Sequence, residues 1–251
     1  MSVVTVIQVR TNSCRLPKKA LLPLGDTSVI GFQIGRLYSC KGIGELVVAT
    51  TTKESDDVLA QHLKSLGVRV FRGSEKDVLN RFYQCAKLYD AEIVVRLTGD
   101  DPFKDPSVVM SCLKLMQNDR RLDYASNTMT PTYPEGIDVE VISMSALSVA
   151  NAEAELVSDR EHVTPFIWRN KERFKTKDLK SSPDLSKYRL TVDYQCDYEV
   201  AKKIAANFSP RTNFSYLEII RYLETDKSLQ DLNGFIKRNE GYLYSLAKEL
   251  E

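Results

Sequence analysis

Short, nearly unbroken apolar runs alternate with stretches of helical periodicity through the first half of the chain. Val3–Val9, Glu45–Ala49, Val68–Phe71 and Ile93–Leu97 are rich in Val, Ile and Leu and show little alternation. Strands buried on both faces of a largely parallel sheet have this character. Between them Val29–Ser39, Asp56–Leu66, Lys76–Tyr89 and Ser107–Asn118 read as helices. Asp105-Pro106 supplies a helix start, with Asp as cap and Pro at the first helical position. The β-α-β-α order, with right-handed crossovers, predicts an open α/β sandwich.

The pattern changes after residue 120. Leu122–Ser126 reads as a strand, and Ile137–Ile142 as another with Asp138 and Glu140 on one face; the turn-rich Thr128–Gly136 lies between them. Residues 145–170 read as helix, Phe174–Leu179 and Tyr188–Val192 as strands, and Tyr198–Asn207 as a helix capped by Asp197. The remainder to Glu251 is helical and amphipathic, with turns near Ser209-Pro210 and Asn233-Gly234. The absence of a repeat, low-complexity tract or linker predicts a single domain over 1–251. Its sheet is mixed and mostly parallel, and a C-terminal helical extension from about 208 to 251 packs on it or on a partner.

Composition narrows the function classes. A chain of 251 residues buries enough apolar surface to stand without staples, and 43% hydrophobic with 27% charged residues argues against disorder. A net charge of +1 gives no global field for nucleic acid or an anionic membrane, so any polyanion site is local. The five cysteines (Cys14, Cys40, Cys85, Cys112, Cys196) show no C-x-x-C spacing, which predicts reduced thiols in a cytoplasm rather than zinc or disulfides. With only His62 and His162, a histidine-rich metal site is excluded. The N-terminus lacks signal-peptide character, and no apolar run approaches the ~18 residues of a membrane span.

The candidate chemistry begins where the first strand ends. No acidic residue falls between Val3 and Gly25, yet Arg10, Arg15, Lys18 and Lys19 follow the strand closely. A cationic loop at the C-terminal end of a buried strand suits a polyanion such as a nucleoside triphosphate. The loop matches neither G-x-x-x-x-G-K-[ST] nor G-x-G-x-x-G. Leu16-Pro17 bends it and Ala20–Leu24 anchors it; a solvated basic turn is the plainer alternative. Thr98-Gly99-Asp100-Asp101-Pro102 follows the fourth strand, where Asp100 is placed to hold Mg²⁺ or simply to open a turn. Asp193, after another short apolar run, is a candidate second carboxylate. Asp138 and Glu140 suit substrate hydroxyls or an amine, or a polar strand edge. In Ser158–Pro165, Arg160 suits a substrate carboxylate and His162 a hydrogen bond in the site, or a partly buried structural role.

Taken in order, these segments resemble the cytidylyltransferases of the spore-coat polysaccharide and acylneuraminate group. The pattern Q-A-R-x-x-S-x-R-L-P-G-K of that family reads here Gln8-Val9-Arg10-Thr11-Asn12-Ser13-Cys14-Arg15-Leu16-Pro17-Lys18-Lys19. The likeness continues through Val47–Thr51, Phe71–Ser74, Arg96–Asp100, Ser126–Thr128, Arg160–Pro165, Leu190–Asp193 and Lys237–Leu243. Departures are Lys18 in place of Gly, Thr11-Asn12 in place of Met-Gly, and Asp101 in place of an uncharged residue. The resemblance implies a three-layer α/β/α sandwich of nucleotide-diphospho-sugar transferase type, commonly dimeric, that moves CMP from CTP to an acidic sugar with release of pyrophosphate. It implies Arg10, Ser13, Arg15, Lys19 and Asp100 at the triphosphate, with Arg10, Arg15, Lys19 and Asp100 carrying catalysis. Thr50, Arg72 and Ser74 then face cytosine or ribose, Asp100 and Asp193 hold Mg²⁺, and Asn127, Asp138, Glu140, Arg160 and His162 meet the acceptor. A nucleotidyltransferase for sugar 1-phosphates or another phosphorylated small molecule, and a non-catalytic nucleotide-binding dimer, are the alternatives.

Overall fold

A computed structural model of the chain describes residues 1–249. The elements run β1 (Val3–Gln8), β2 (Pro23–Leu24), β3 (Thr27–Ser28), α1 (Val29–Tyr38), β4 (Glu45–Thr51), α2 (Asp57–Ser65), β5 (Arg69–Gly73), α3 (Val78–Leu88), β6 (Ile93–Thr98) and α4 (Pro106–Asn118). They continue β7 (Tyr124–Ser126), β8 (Glu140–Ser143), α5 (Met144–Glu153), α6 (Val157–His162), α7 (Pro165–Arg169), β9 (Thr176–Asp178), α8 (Gln195–Phe208), α9 (Tyr216–Thr225), α10 (Lys227–Asp231) and α11 (Glu240–Glu249). The last two residues of the predicted C-terminal helical stretch lie outside the described residues.

Seven strands form one sheet in the order β5-β4-β1-β6-β8-β7-β9. β5, β4, β1 and β6 are mutually parallel, β8 is antiparallel to both neighbours, and β9 is parallel to β7. The period of two in the strands divides the core. Val4, Val6, Val47, Ala49 and Val94 face α3 and α5, whereas Ile7, Val48, Val95 and Leu97 face α1, α4 and α8. Each such Val, Ile or Leu side chain, fully buried, contributes about 1.5–3 kcal/mol of apolar transfer. The result is the predicted sheet between two helical layers. The Asp105-Pro106 start is also as predicted: Asp105 caps α4 by accepting from Ser107 N, and Pro106 is its first residue.

Three expectations are corrected. The helix read over 145–170 is three helices, because Ala154 and Leu156 are extended, Val163 takes φ 74° and Pro165 starts a new turn. Tyr188–Val192 is not a strand; it touches the sheet region through a single bridge between Glu135 and Arg189. Its backbone is held instead by Glu135 and by the Asp100 carbonyl, which accepts from Val192 N at 2.8 Å. Gly136 permits that approach: at φ +97°, a Cβ there would stand 2.6 Å from Thr191 N. Finally, Asp197 lies in the first turn of α8 rather than at its cap. Its carboxylate reaches back to accept from the backbone N–H of Asp193 and Tyr194.

The chain steps outward from β1 to β4 and β5, then returns to β6 on the other side of β1. That reversal leaves a crevice at the carboxyl ends of β1 and β6, where open α/β sheets take their ligands. The loop after β1 and the Gly99-Asp100 turn after β6 border it. They are stitched together by Gly99 N donating to Gln8 O at 2.8 Å.

Candidate active site

The basic loop is held, not free. Thr11 donates its N–H to Asp56 Oδ1 at 2.7 Å and its hydroxyl to the same oxygen, and its carbonyl accepts from Ser13 N and Lys18 N. Burial alone raises the pKa of Asp56, but the hydrogen bonds from Thr11 and Thr51 outweigh it and hold the carboxyl below its usual range. Lys18 adopts φ 55°, in the left-handed region that glycine enters at least cost, so this turn carries a lysine in a conformation natural to glycine.

From this loop Lys19 reaches between two carboxylates distant in sequence. Its Nζ donates to Asp100 Oδ2 and to Asp193 Oδ1, each at 2.6 Å. The two oxygens are thus no more than twice that distance apart. Arg15 adds a second cation 2.8 Å from Asp193, and Arg189 a third at 3.3 Å. Burial opposes the charge on Lys19, yet the two carboxylates raise its pKa above the lysine norm. Burial likewise opposes the Asp193 carboxylate, but Lys19 and Arg15 bring it down to about 2.

This cluster opens onto a cavity of about 550 Å³, within the size range of small-molecule sites. Arg15, Asp100 and Asp193 line it, and Met129, Pro165, Trp168 and Tyr242 give it an apolar wall. Of the residues read from sequence as acceptor contacts, Asp138, Glu140 and His162 line it. Asp138 is held by Arg238. Glu140 accepts from Tyr124 Oη at 2.6 Å and Thr164 Oγ1 at 2.5 Å, and pairs with Arg96. His162 Nε2 meets Ser245 Oγ at 3.0 Å, and burial lowers its pKa.

Asn127 and Arg160 lie outside the cavity lining. Asn127 is buried and spends its amide on the backbone of Ile137 and Val139, clamping the approach to β8. Arg160 ties α6 to α3 and α5 through Asp77, Asn151 and the Ala154 carbonyl. Arg10, Ser13, Thr50, Arg72 and Ser74 also lie outside it. Arg10, Thr50, Arg72 and Ser74 stand at the carboxyl ends of β1, β4 and β5, side by side in the sheet. Arg10 is exposed there. Thr50 donates to Asp56, and Ser74 Oγ accepts from Asp77 N. All three Arg72 nitrogens bond within the protein, to Thr51 O, Lys53 O and Asp57.

Several residues around the cavity went unread in the sequence. Arg96 lines it, and a lone cation inside the apolar run of β6 was the available signal. Arg189 bonds Glu135 at 2.5 Å and Asp197 at 2.9 Å besides Asp193, and these acids raise its pKa against the cost of burial. Asp101, set beside Asp100, does not join the Lys19 cluster. It pairs with the fully buried Lys104 at 2.8 Å and accepts from Thr98 Oγ1. Burial pushes its pKa up to about 6. Among the described residues no group of three or more His, Cys, Asp or Glu side chains is arranged to hold a metal. No helix among them is long and apolar enough to cross a membrane.

Comparison with known proteins gives a consistent picture. A family model described as Cytidylyltransferase matches residues 4–232. An uncharacterized protein of Methanocaldococcus jannaschii is 35% identical over 95% of this chain and 97% of its own. The spore coat polysaccharide biosynthesis protein SpsF of Bacillus subtilis is 34% identical over 87% of this chain and 92% of its own. The solved structure of a cytidylyltransferase from Leptospira borgpetersenii superposes with a TM-score of 0.89 at 36% identity, covering 95% of this chain and all of that one.

Proposed function

The chain belongs to the cytidylyltransferase family, and on that premise we propose that it transfers CMP from CTP to an acidic sugar. The acceptor is a nonulosonate or related 2-keto-3-deoxy acid, the second product is pyrophosphate, and the conjugate feeds surface polysaccharide or glycan synthesis. The observation that carries this reading is Lys19 bridging Asp100 and Asp193, with Arg15 alongside, at the edge of a cavity large enough for a sugar. The likeness to SpsF, by its name a polysaccharide biosynthesis protein, supports the downstream use. The resemblance adds a homodimer to the proposal, and the unpaired cysteines a cytoplasmic setting.

The acceptor's anomeric hydroxyl attacks the α-phosphorus in line, and pyrophosphate leaves. The protein's part is positioning and charge neutralisation, with no protein nucleophile. Arg15 presents a planar fork to phosphate oxygens and Lys19 a compact charge. Arg96 sits in the same cavity as a cation for the acceptor carboxylate. Arg10, Thr50 and Ser74 are assigned to the nucleotide side, a reading their position at the strand ends supports, and Ser13 goes with the basic loop.

The donor set suits Mg²⁺. An ammonium already lies between two carboxylate oxygens, which are hard ligands, and such a site takes one or two carboxylates with phosphates and water completing the shell. Asp100 and Asp193 would hold the ion, which when bound supplies charge neutralisation at the phosphate and a lowered hydroxyl pKa.

Pyrophosphate release with a panel of nucleoside triphosphates, Mg²⁺, keto-acid sugars and sugar 1-phosphates tests the reading. CTP with a keto acid is the expected pair; turnover confined to UTP with a sugar 1-phosphate overturns it. Asp100→Asn should nearly abolish Mg²⁺-dependent release with the fold intact, and near-normal turnover removes Asp100 from the metal role.

A further inference from the structure

Helix α11 buries none of its residues, yet its first turn meets both the basic loop and the acceptor cavity. It lies beyond the segment matched by the family model, which ends at residue 232. Asn239, Glu240, Gly241 and Tyr242 line the cavity. Glu240 stands 3.7 Å from the Arg15 guanidinium, and its Oε2 accepts from the Tyr194 hydroxyl at 2.5 Å. Arg15 in turn lies over the Tyr194 ring, 5.4 Å from its centroid. Two residues on, the Tyr242 ring meets His162 and Trp168 edge-on, at 5.1 and 5.9 Å. The rest of the helix is attached by polar contacts: Ser245 with His162 and Glu161, and Glu249 with Ser158. An element held by a polar seam rather than by apolar burial opens at low cost.

Resting on the nucleotide reading above, we propose that Glu240 is a positioning residue that occupies Arg15 until the nucleotide arrives, and so ties the acceptor wall to nucleotide binding. Arg15 shares its fork between two carboxylates of unequal standing. Asp193 is 14% exposed and also held by Lys19, whereas Glu240 is 46% exposed. A triphosphate arriving at Arg15 brings stronger acceptors than a half-exposed carboxylate and adds negative charge beside it. Glu240 is the partner displaced. Its release leaves the turn Asn239–Tyr242 held by Asn239 N on Glu135 Oε1 and by the Tyr194 hydroxyl, a weaker tether for the aromatic wall, so the acceptor pocket takes its working shape only after nucleotide binds. Binding is then ordered, nucleotide first, and by linkage the acceptor strengthens nucleotide binding in return.

The test uses the full chain and CTP as probe. Titration calorimetry gives the CTP dissociation constant, and hydrogen exchange reports on residues 239–245 with and without CTP. In the unaltered protein, CTP should raise exchange across that segment. Glu240→Gln keeps the acceptor for Tyr194 but loses the charge; exposed ion pairs of this kind correspond to roughly two- to five-fold in an equilibrium. This variant should bind CTP tighter by that factor, with exchange in 239–245 high at the outset and unresponsive to CTP. Glu240→Asp, which restores the charge, should return the response to CTP. Tighter CTP binding by itself reports only the loss of a like charge beside the triphosphate; the loss of the CTP response in 239–245, and its return in Glu240→Asp, is what a purely structural role does not produce. Unchanged CTP affinity in Glu240→Gln, with the exchange response intact, overturns the proposal. Arg15→Ala separates the two layers: wild-type CTP affinity there defeats the nucleotide reading of Arg15 itself. Weakened affinity there, beside a silent Glu240→Gln, defeats only the coupling.

Discussion

Lys19→Met removes the charge at the centre of the site while keeping most of the stem. Lys19 is 12% exposed and its Nζ lies 2.6 Å from each of Asp100 and Asp193. The substitution leaves two carboxylates facing each other across an apolar tip. Breaking a buried ion pair by removing one partner costs about 3–5 kcal/mol. Asp100 is a quarter exposed, and Asp193 keeps Arg15 and Arg189, so the lower end applies, about 3 kcal/mol. The depression of Asp193 from 3.8 to about 2, shared between Lys19 and Arg15, corresponds to about 2 kcal/mol, the same order. Because the folded pKa lies below the unfolded one, that contribution is full above about pH 4 and is lost as pH falls through about 2. Urea unfolding in EDTA at neutral pH should show the loss, and thermal unfolding a drop of roughly 6–12 °C. Added Mg²⁺ should recover part of it in the variant, since a divalent cation satisfies the facing carboxylates. The gap between variant and wild type should narrow below about pH 4, as Asp193 takes a proton in the variant. A loss under about 0.5 kcal/mol, the range of an ordinary surface change, would refute the central role given to this ammonium.

Other predictions follow from the same contacts. Lys18→Gly relieves a non-glycine residue at φ 55° and should raise the unfolding free energy by up to about 1 kcal/mol, seen as a higher urea midpoint at unchanged slope. Arg160→Ala removes hydrogen bonds to Asp77, Asn151 and Ala154 and should cost about 2 kcal/mol while leaving the acceptor KM unchanged; a raised KM with stability intact would return Arg160 to the site. The folded pKa of Asp101, about 6, lies above 3.8, so its contribution is full below about pH 4 and lost as pH rises through about 6. Asp101→Asn should erase that slope in urea titrations across pH 4–7 and lower stability at neutral pH, because Lys104 loses its counter-charge.

The amino-acid order alone determined the parallel half of the sheet, the helix start at Asp105-Pro106 and the cationic turn after β1. These depend on short-range pattern: continuous apolar runs mark strands buried on both faces, and Asp-Pro carries its own capping chemistry. It also pointed to Arg15, Lys19, Asp100 and Asp193 through an ordered set of motifs. Only the tertiary structure decided which cations serve that site. Arg15 and Arg160 are alike as residues, but one meets Asp193 and the other Asp77. Arg72 likewise has all three nitrogens spent on nearby groups of the chain. The junction of Asp193 with Asp100 is equally non-local, made by Val192 N on the Asp100 carbonyl and by the close approach at Gly136. The type of a charged side chain is written in the sequence. Its partner is whichever opposite charge the topology brings within reach, and that depends on packing between segments far apart in the chain.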